Sequence, residues 1–336
     1  MIKRTTINDL AKALELSPTL ISMVLNGKGD KNKISKQTQK RVFDIARKMN
    51  YTPNQNARAL RTGKTNVIGL IVPDISNPFY SRISRDLEDL LGEGGYRLIL
   101  GSTDEDPEKE KKLIKLFLDQ NVDGIISAST LNSDKAYLDV IGVGKVVILF
   151  DRIFPKSTIS SVSVQNAQGA YMAVENLAKK GKKNIGYLAL TPQHISPLTD
   201  RKAGFSEAMK KLKLKFSAAN ICEIRFDEVD ADFEKTYGAW IKKNPQVDAL
   251  VVANNSLAVQ LLKYYKDAKS KRPAIISFDD HVAFEIASPS VTAITQPVDE
   301  IAAKTVAVLL ETLEDKTIKP RQIVLPVGLE LRESHK

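Results

Sequence analysis

The stretch Ser17-Pro18-Thr19-Leu20-Ile21-Ser22-Met23-Val24-Leu25-Asn26-Gly27 decides how the N-terminal region is read. Ser17 is a good helix N-cap, Pro18 follows at the first helical position where a missing N–H costs nothing, and Ile21, Val24 and Leu25 share one inward face. Upstream, Thr6 with Asp9 forms a capping-box pattern, and Ile7, Leu10, Ala11 and Leu14 repeat at i, i+3, i+4 and i+7. Downstream, Ser35 opens a third amphipathic stretch in which Val42, Ile45, Ala46 and Met49 lie on one side, until Tyr51-Thr52-Pro53 stops it. Two short helices joined by a tight turn and braced by a third make a helix-turn-helix unit. Its middle helix has the shape of a DNA reader, yet it contains no Arg, Lys or Gln.

Charge supplies what that helix lacks. Residues 1–64 hold 14 Lys and Arg against 4 acids, a net of +10, whereas residues 65–336 hold 36 of each sign. Such segregation is the electrostatic footprint of a nucleic-acid-binding module joined to a neutral body. The rest of the composition, 43% hydrophobic and 27% charged, belongs to a globular protein. The single Cys222 allows no internal disulfide, and His194, His281 and His335 are too far apart for a metal-ligand motif. No leader-like apolar segment follows Met1, and no run of eighteen apolar residues occurs, so the expectation is a cytoplasmic protein that does not span a membrane.

From Val67 the pattern changes to apolar runs alternating with helix-length amphipathic segments. The runs are 67–72, 97–101, 124–127, 146–150, 185–190, 249–253 and 274–278; the segments include 81–91, 109–120, 166–180, 201–212 and 256–266. Repeated βα units with near-continuous apolar strands predict parallel sheets covered by helices on both faces. Some 270 residues exceeds one comfortable core, so two lobes with a cleft between them are expected.

With these features in place the sequence resembles the lactose-repressor (LacI/GalR) family of bacterial transcription regulators over nearly its whole length. The resemblance is carried by "TINDLAKALELSPTLISMVLNGK" at 6–28, "ISKQTQKRVFDIARKMNYTPNQNARALRTGKTNVIGLIVPDISNPFY" at 34–80, "DEDPEKE" at 104–110, "RKAGF" at 201–205, "FDD" at 278–280, "TAITQP" at 292–297 and "LELRES" at 329–334. It implies a helix-turn-helix headpiece over 1–53, a hinge helix and linker over 54–64, and a two-lobed α/β core of the type I periplasmic-binding-protein kind over 65–336. The N-lobe would span about 65–164 and 297–326, and the C-lobe about 165–295 and 327–336. The implied partners are operator DNA, a small-molecule effector such as a sugar, and a second copy of the chain; no cofactor is implied.

The resemblance assigns DNA contact to Thr6, Ser17, Pro18, Thr19, Leu20, Ser22, Met23, Asn26, Lys28, Ser35, Thr38 and Tyr51, and to Asn54, Ala57 and Leu60 of the hinge, where Leu60 would wedge into a minor-groove step. A nine-residue helix is too short to be stable alone, so the hinge is expected to order only with DNA and a partner protomer. The family often has Arg where Met23 stands. Its loss implies methyl contacts to thymine, specificity moved to DNA deformability, or a weakened reader. The loop after the helix, "GKGDKNKIS", is longer than is common in the family, and its Lys28, Lys31 and Lys33 suit phosphates.

The resemblance also implies effector contact at Asn77, Phe79, Tyr80, Asp151, Arg201, Asn254, Asn255, Asp279 and Gln296, an aromatic face with fork-like polar groups that suits a polyhydroxylated ligand. The plainer alternatives are a turn cap for Asp279, a core position for Phe79 and a surface pair for Asp151-Arg152. An enzyme is not expected: Gly63-Lys64-Thr65 lacks the first glycine of a phosphate-binding loop, since residue 58 is Arg58, and Gly92-Glu93-Gly94-Gly95 reads as a helix end. The acidic run Asp104–Glu110 offers a cation site or favourable charge at a helix N-terminus. The alternative function is a ligand-sensing or sugar-binding protein with weakened DNA reading.

Overall fold

The computed structural model describes residues 5–51, 63–192, 194–266 and 272–336, which fall into two compact units dividing between Thr65 and Asn66. The first contains α1 (Ile7–Leu14), α2 (Pro18–Leu25) and α3 (Lys36–Lys48). Each helix starts on a side-chain cap. Thr6 and Asp9 form the reciprocal capping box, Ser17 Oγ accepts from Leu20 N at 3.2 Å, and Ser35 Oγ accepts from Thr38 N at 3.1 Å. Each cap contributes about 1 kcal/mol. Leu10, Leu14, Ile21, Val24, Val42 and Ala46 make the core, ringed by half-buried residues that include Leu20, Leu25, Ile45, Met49 and Tyr51. The hinge expected over 54–62, with Asn54, Ala57 and Leu60, lies outside the described residues.

The second unit has two six-stranded sheets built on one plan. The first orders its strands β11 (Gln322–Leu325), β5 (Ser160–Val164), β4 (Val146–Phe150), β3 (Gly124–Ser127), β1 (Val67–Val72) and β2 (Arg97–Ser102), all parallel. The second orders β12 (Gly328–Glu330), β10 (Thr292–Thr295), β9 (Ala274–Phe278), β8 (Ala249–Val252), β6 (Ile185–Thr191) and β7 (Ile221–Arg225), parallel except where β12 runs against β10. The chain passes between the sheets after β5, after β10 and between β11 and β12. The expected architecture, two parallel α/β lobes after an all-α headpiece, is what the structure has.

Helices α4 (Pro78–Glu93), α5 (Pro107–Asp119), α6 (Lys135–Gly142) and α12 (Val298–Glu314) belong to the first lobe. Helices α7 (Asn166–Lys179), α8 (Ser196–Lys211), α9 (Phe233–Lys243), α10 (Asn255–Lys266) and α11 (Val282–Ile286) belong to the second. Four of the apolar runs match their strands end to end, because a strand covered on both faces has no polar alternation to blur its limits. Helix α8 starts five residues before the expected Arg201, because Pro197 occupies its first turn and Ser196 opens it. It packs very closely on α7: a Cβ at Gly204 would lie 1.9 Å from the Ala167 carbonyl oxygen, so this contact admits only glycine.

Candidate functional site

Where the carboxyl ends of both sets of strands meet, the lobes enclose a cleft of about 1020 Å³. Open α/β sheets bind ligands at such a place. Of the nine expected effector residues, all but Asn255 line it. Asn255 is fully buried at the start of α10 and exchanges hydrogen bonds with Asn77 of the other lobe, at 3.3 and 3.4 Å. Asn77 also caps α4, its Oδ1 accepting from Phe79 N at 3.0 Å.

Two aspartates form the polar floor. Asp151 follows β4 and Asp279 follows β9; both are buried and both hold left-handed backbone, φ +56° and +63°. Such conformations cost about 1–3 kcal/mol in a residue with a side chain and mark constrained sites. Tyr80 Oη donates to Asp151 Oδ2 at 2.7 Å. Burial pushes the Asp151 carboxyl above its ordinary range, although Arg201 and Arg152 oppose this. It also pushes the Tyr80 phenol well above 10, which keeps it a neutral donor. Arg201, 4% exposed, donates from Nε to Asn166 Oδ1 at 2.8 Å and from Nη1 to the Ala253 carbonyl at 2.8 Å and Asp279 Oδ2 at 3.3 Å. Its guanidinium lies 3.6 Å from the centre of the Phe278 ring, so the fork is held on its face and its edge. Gln296 Nε2 donates to Asp279 Oδ1 at 2.6 Å, leaving its buried Oε1 with no partner. Asn254 Oδ1 accepts from Leu257 N at 3.0 Å.

The plainer readings resolve residue by residue. Phe79 is both a core residue and a wall of the cleft. Asp151-Arg152 is not a surface pair: both are buried, and Arg152 makes a two-pronged ion pair with Glu105 at 2.6 and 2.7 Å. Arg152 also stands 5.9 Å from the Tyr80 ring centre and 5.5 Å from that of Phe226, the latter across the cleft. The acidic run is divided among separate tasks. Glu105 takes Arg152, Asp106 caps α5 through Glu108 N at 2.8 Å, and Glu110 is fully buried, accepting from Thr130 N at 2.6 Å and Tyr137 Oη at 2.5 Å. Sequence reasoning missed Glu105, Arg152, Phe226 and Asn166, whose partners lie from 35 to 74 positions away along the chain. Among the described residues, the lining holds eight carboxylates and four Arg or Lys side chains.

In the headpiece, Ser17, Pro18, Thr19, Asn26 and Lys28 are exposed and Ser22 and Met23 half-exposed. Leu20 is half-buried and packs in part against the headpiece core. Asn26 Nδ2 donates to the Ser22 carbonyl at 2.7 Å, which ties the end of α2 together. Thr6, Ser35 and Thr38 sit at the N-termini of α1 and α3, and Tyr51 is half-buried after α3.

Residues 6–54 match the family described as bacterial regulatory proteins, lacI family, and residues 174–335 match the periplasmic binding protein-like domain. The ribose operon repressor of Halalkalibacterium halodurans is 30% identical over 99% of this chain and 97% of its own length. The chain belongs to the lacI family. A second relative, the HTH-type transcriptional regulator DegA of Bacillus subtilis, is 31% identical over 98% of both chains. Among solved structures, the lac repressor dimer bound to operator and the anti-inducer ONPF aligns with a TM-score of 0.85 over 99% of both chains at 20% identity, a likeness of fold. A periplasmic binding protein/LacI transcriptional regulator from Alkaliphilus metalliredigens, complexed with D-xylulofuranose, aligns over 80% of this chain and 98% of its own at 26% identity and a TM-score of 0.67. This lacI-family protein is therefore a DNA-binding transcriptional regulator with a periplasmic-binding-protein-like core. No helix among the described residues is long and apolar enough to cross a membrane.

Proposed function

We propose that the protein is a repressor whose affinity for operator DNA is switched by an uncharged sugar or sugar derivative held in the cleft, and that it has no catalytic activity. The observation that carries this reading is the floor of the cleft, where Arg201, Asp279 and Gln296 hold one another and leave the Gln296 Oε1 as an acceptor in need of a hydroxyl donor. In this reading Phe79 and Tyr80 supply apolar walls, and Asn77, Asp151, Asn254 and Gln296 the remaining hydrogen bonds; Asn255 acts through Asn77. The carboxylate excess of the lining disfavours a phosphorylated ligand. The names of the relatives point the same way: a ribose operon repressor, a sucrose operon repressor and a regulator complexed with D-xylulofuranose.

DNA contact is assigned to α2 (Pro18, Thr19, Leu20, Ser22, Met23) and its C-cap Asn26, to the N-caps Thr6, Ser17 and Ser35, to Thr38, Lys28 and Tyr51, and to the hinge residues Asn54, Ala57 and Leu60. The active form is proposed to be a cytoplasmic homodimer, supported by Leu100 exposed on the edge strand β2 and by Val282 and Ile286 exposed on α11. Ligand and DNA are then linked through a change in lobe arrangement. A second reading, phosphate-dominated DNA binding with weak base discrimination, is favoured by the absence of Arg, Lys and Gln from α2. Gel shifts with a duplex from the protein's own promoter region and with a scrambled duplex test both. Salt-sensitive binding that favours the promoter duplex, and changes when D-xylulose, ribose or sucrose is added, supports the first. Equal binding to both duplexes favours the second, and no salt-sensitive binding to either defeats the regulator assignment.

A further inference from the structure

The loop between α2 and α3 carries a second solution to DNA binding. Residues 27–36 hold four lysines and one aspartate, a net of +3, and Lys28, Lys31 and Lys33 are exposed. A loop of this composition would ordinarily be loose, because each exposed lysine adds chain entropy and mutual repulsion. This one is tied by its own backbone. Lys28 N donates to the Met23 carbonyl at 2.9 Å, Asn32 N to Lys28 at 3.1 Å, Lys33 N to Asp30 at 3.0 Å and Ile34 N to Gly29 at 2.9 Å. The Asn32 side chain adds a bond to the Lys28 carbonyl at 2.8 Å.

The tie to the rest of the headpiece is Gln39 of α3. Its Nε2 donates to Asp30 Oδ1 at 2.9 Å and to the Ile34 carbonyl at 2.8 Å, so one amide joins the middle of the loop to its end. Gly29 lies against that amide; a Cβ there would stand 2.5 Å from the Gln39 amide carbon. Asp30, the one acid of the loop, also accepts from Lys36 Nζ at 2.7 Å. Its charge is thus turned to holding the loop, while three ammonium groups stay free of it. The ordering entropy is met at folding and not at binding, which is what preorganisation contributes to affinity.

We infer that residues 27–34 form a preformed clamp for the phosphodiester backbone of duplex DNA, with Lys28, Lys31 and Lys33 as its charges and Gln39 as its positioning residue. The inference rests on the regulator reading and deepens it: where α2 has no guanidinium to fork onto a base, this loop supplies affinity that is blind to sequence.

The test is fluorescence anisotropy of the full chain with a duplex of unrelated sequence across a salt series. Each phosphate neutralised contributes about 0.9 to the slope of log affinity against log salt, so Lys28→Ala, Lys31→Ala and Lys33→Ala together should flatten the slope by up to about 2.7 per headpiece. Gln39→Ala removes no charge, yet should flatten the slope as well, with helix content by circular dichroism unchanged. Should that variant lose its headpiece fold, Gly29→Ala, which crowds the same amide, is expected to do the same. A triple variant with the wild-type slope overturns the clamp alone. A folded Gln39→Ala with the wild-type slope overturns the positioning role. A wild-type chain with no salt-dependent binding overturns the clamp and the regulator reading together.

Discussion

The two lobes share one topology but furnish the floor of the cleft with different chemistry. In each, the helix after the first central strand reaches the aspartate that follows the strand two places along the sheet. In the first lobe α4 supplies Tyr80 to Asp151 after β4; in the second α8 supplies Arg201 to Asp279 after β9. The backbone of both aspartates is left-handed, so the sharp turn is common to the plan and the partner is what differs. A phenol leaves Asp151 with one neutral hydrogen bond, and burial then dominates its titration. A guanidinium gives Asp279 an opposite charge that is itself anchored by Asn166, Ala253 and Phe278. The first site is soft and the second rigid.

Removing the rigid side should have the largest effect. Arg201→Ala strands a buried carboxylate and empties a buried site, at a cost of about 3–5 kcal/mol, read by denaturant unfolding of the full chain. A loss below about 1 kcal/mol would mean that Asp279 does not depend on Arg201, and the contrast between lobes would fall. Gly204→Ala attacks the same element from behind. The new methyl meets the Ala167 carbonyl rather than a yielding side chain, so the cost lies at or above the top of the usual overpacking range of about 1–3 kcal/mol. On the soft side, Tyr80→Phe removes the donor and leaves Asp151 without it, for about 1–3 kcal/mol. If Tyr80→Phe costs as much as Arg201→Ala, the two floors are equivalent after all.

The asymmetry was only partly legible in the sequence. Strands such as Val67–Val72 and Val146–Phe150 announce themselves as unbroken apolar runs. By contrast Ser160–Val164 mixes three serines with two valines although all five residues are buried, and Gln322–Leu325 and Gly328–Glu330 are short edge strands with exposed positions; none carries the run that marks a covered strand. Arg201 and Asp279 could be named from motifs, but their bracing by Asn166 and the pairing of Glu105 with Arg152 could not. Those pairs depend on which loops the sheet order brings together, and nothing in local spacing encodes that. Likewise Gln39 looks like one more polar residue on the exposed face of an amphipathic helix until the loop closes on it.

Asp151 permits a finer test of softness through pH. Its ordinary value is 3.8, and burial raises it in the folded chain. Between the two values the folded chain binds more protons than the unfolded one, so this group's contribution makes stability fall as pH rises through that window. Asp151→Asn keeps an acceptor for Tyr80 and cannot titrate. The difference in melting temperature between the variant and the wild type should therefore move in favour of the variant as pH rises from about 3.8, and level off above the folded value. A constant difference across the range would mean that burial does not raise Asp151 in the folded chain.

The smallest effect is expected where the lobes touch directly. Asn77 donates to Asn255 at 3.3 Å and to Ser256 at 3.5 Å, long bonds that hold the lobes weakly. Asn77→Asp keeps the cap on α4, since a carboxylate still accepts from Phe79 N, and removes only the donor that crosses the cleft. Its cost in stability should not exceed about 1 kcal/mol, yet the amide of Asn255 would then face a charge at one point of contact between lobes, and ligand affinity measured by calorimetry should change more than stability does. The reason is its place: a bond worth little to folding lies where the two lobes touch, and under the proposed linkage a fraction of a kcal/mol there shifts the population that binds.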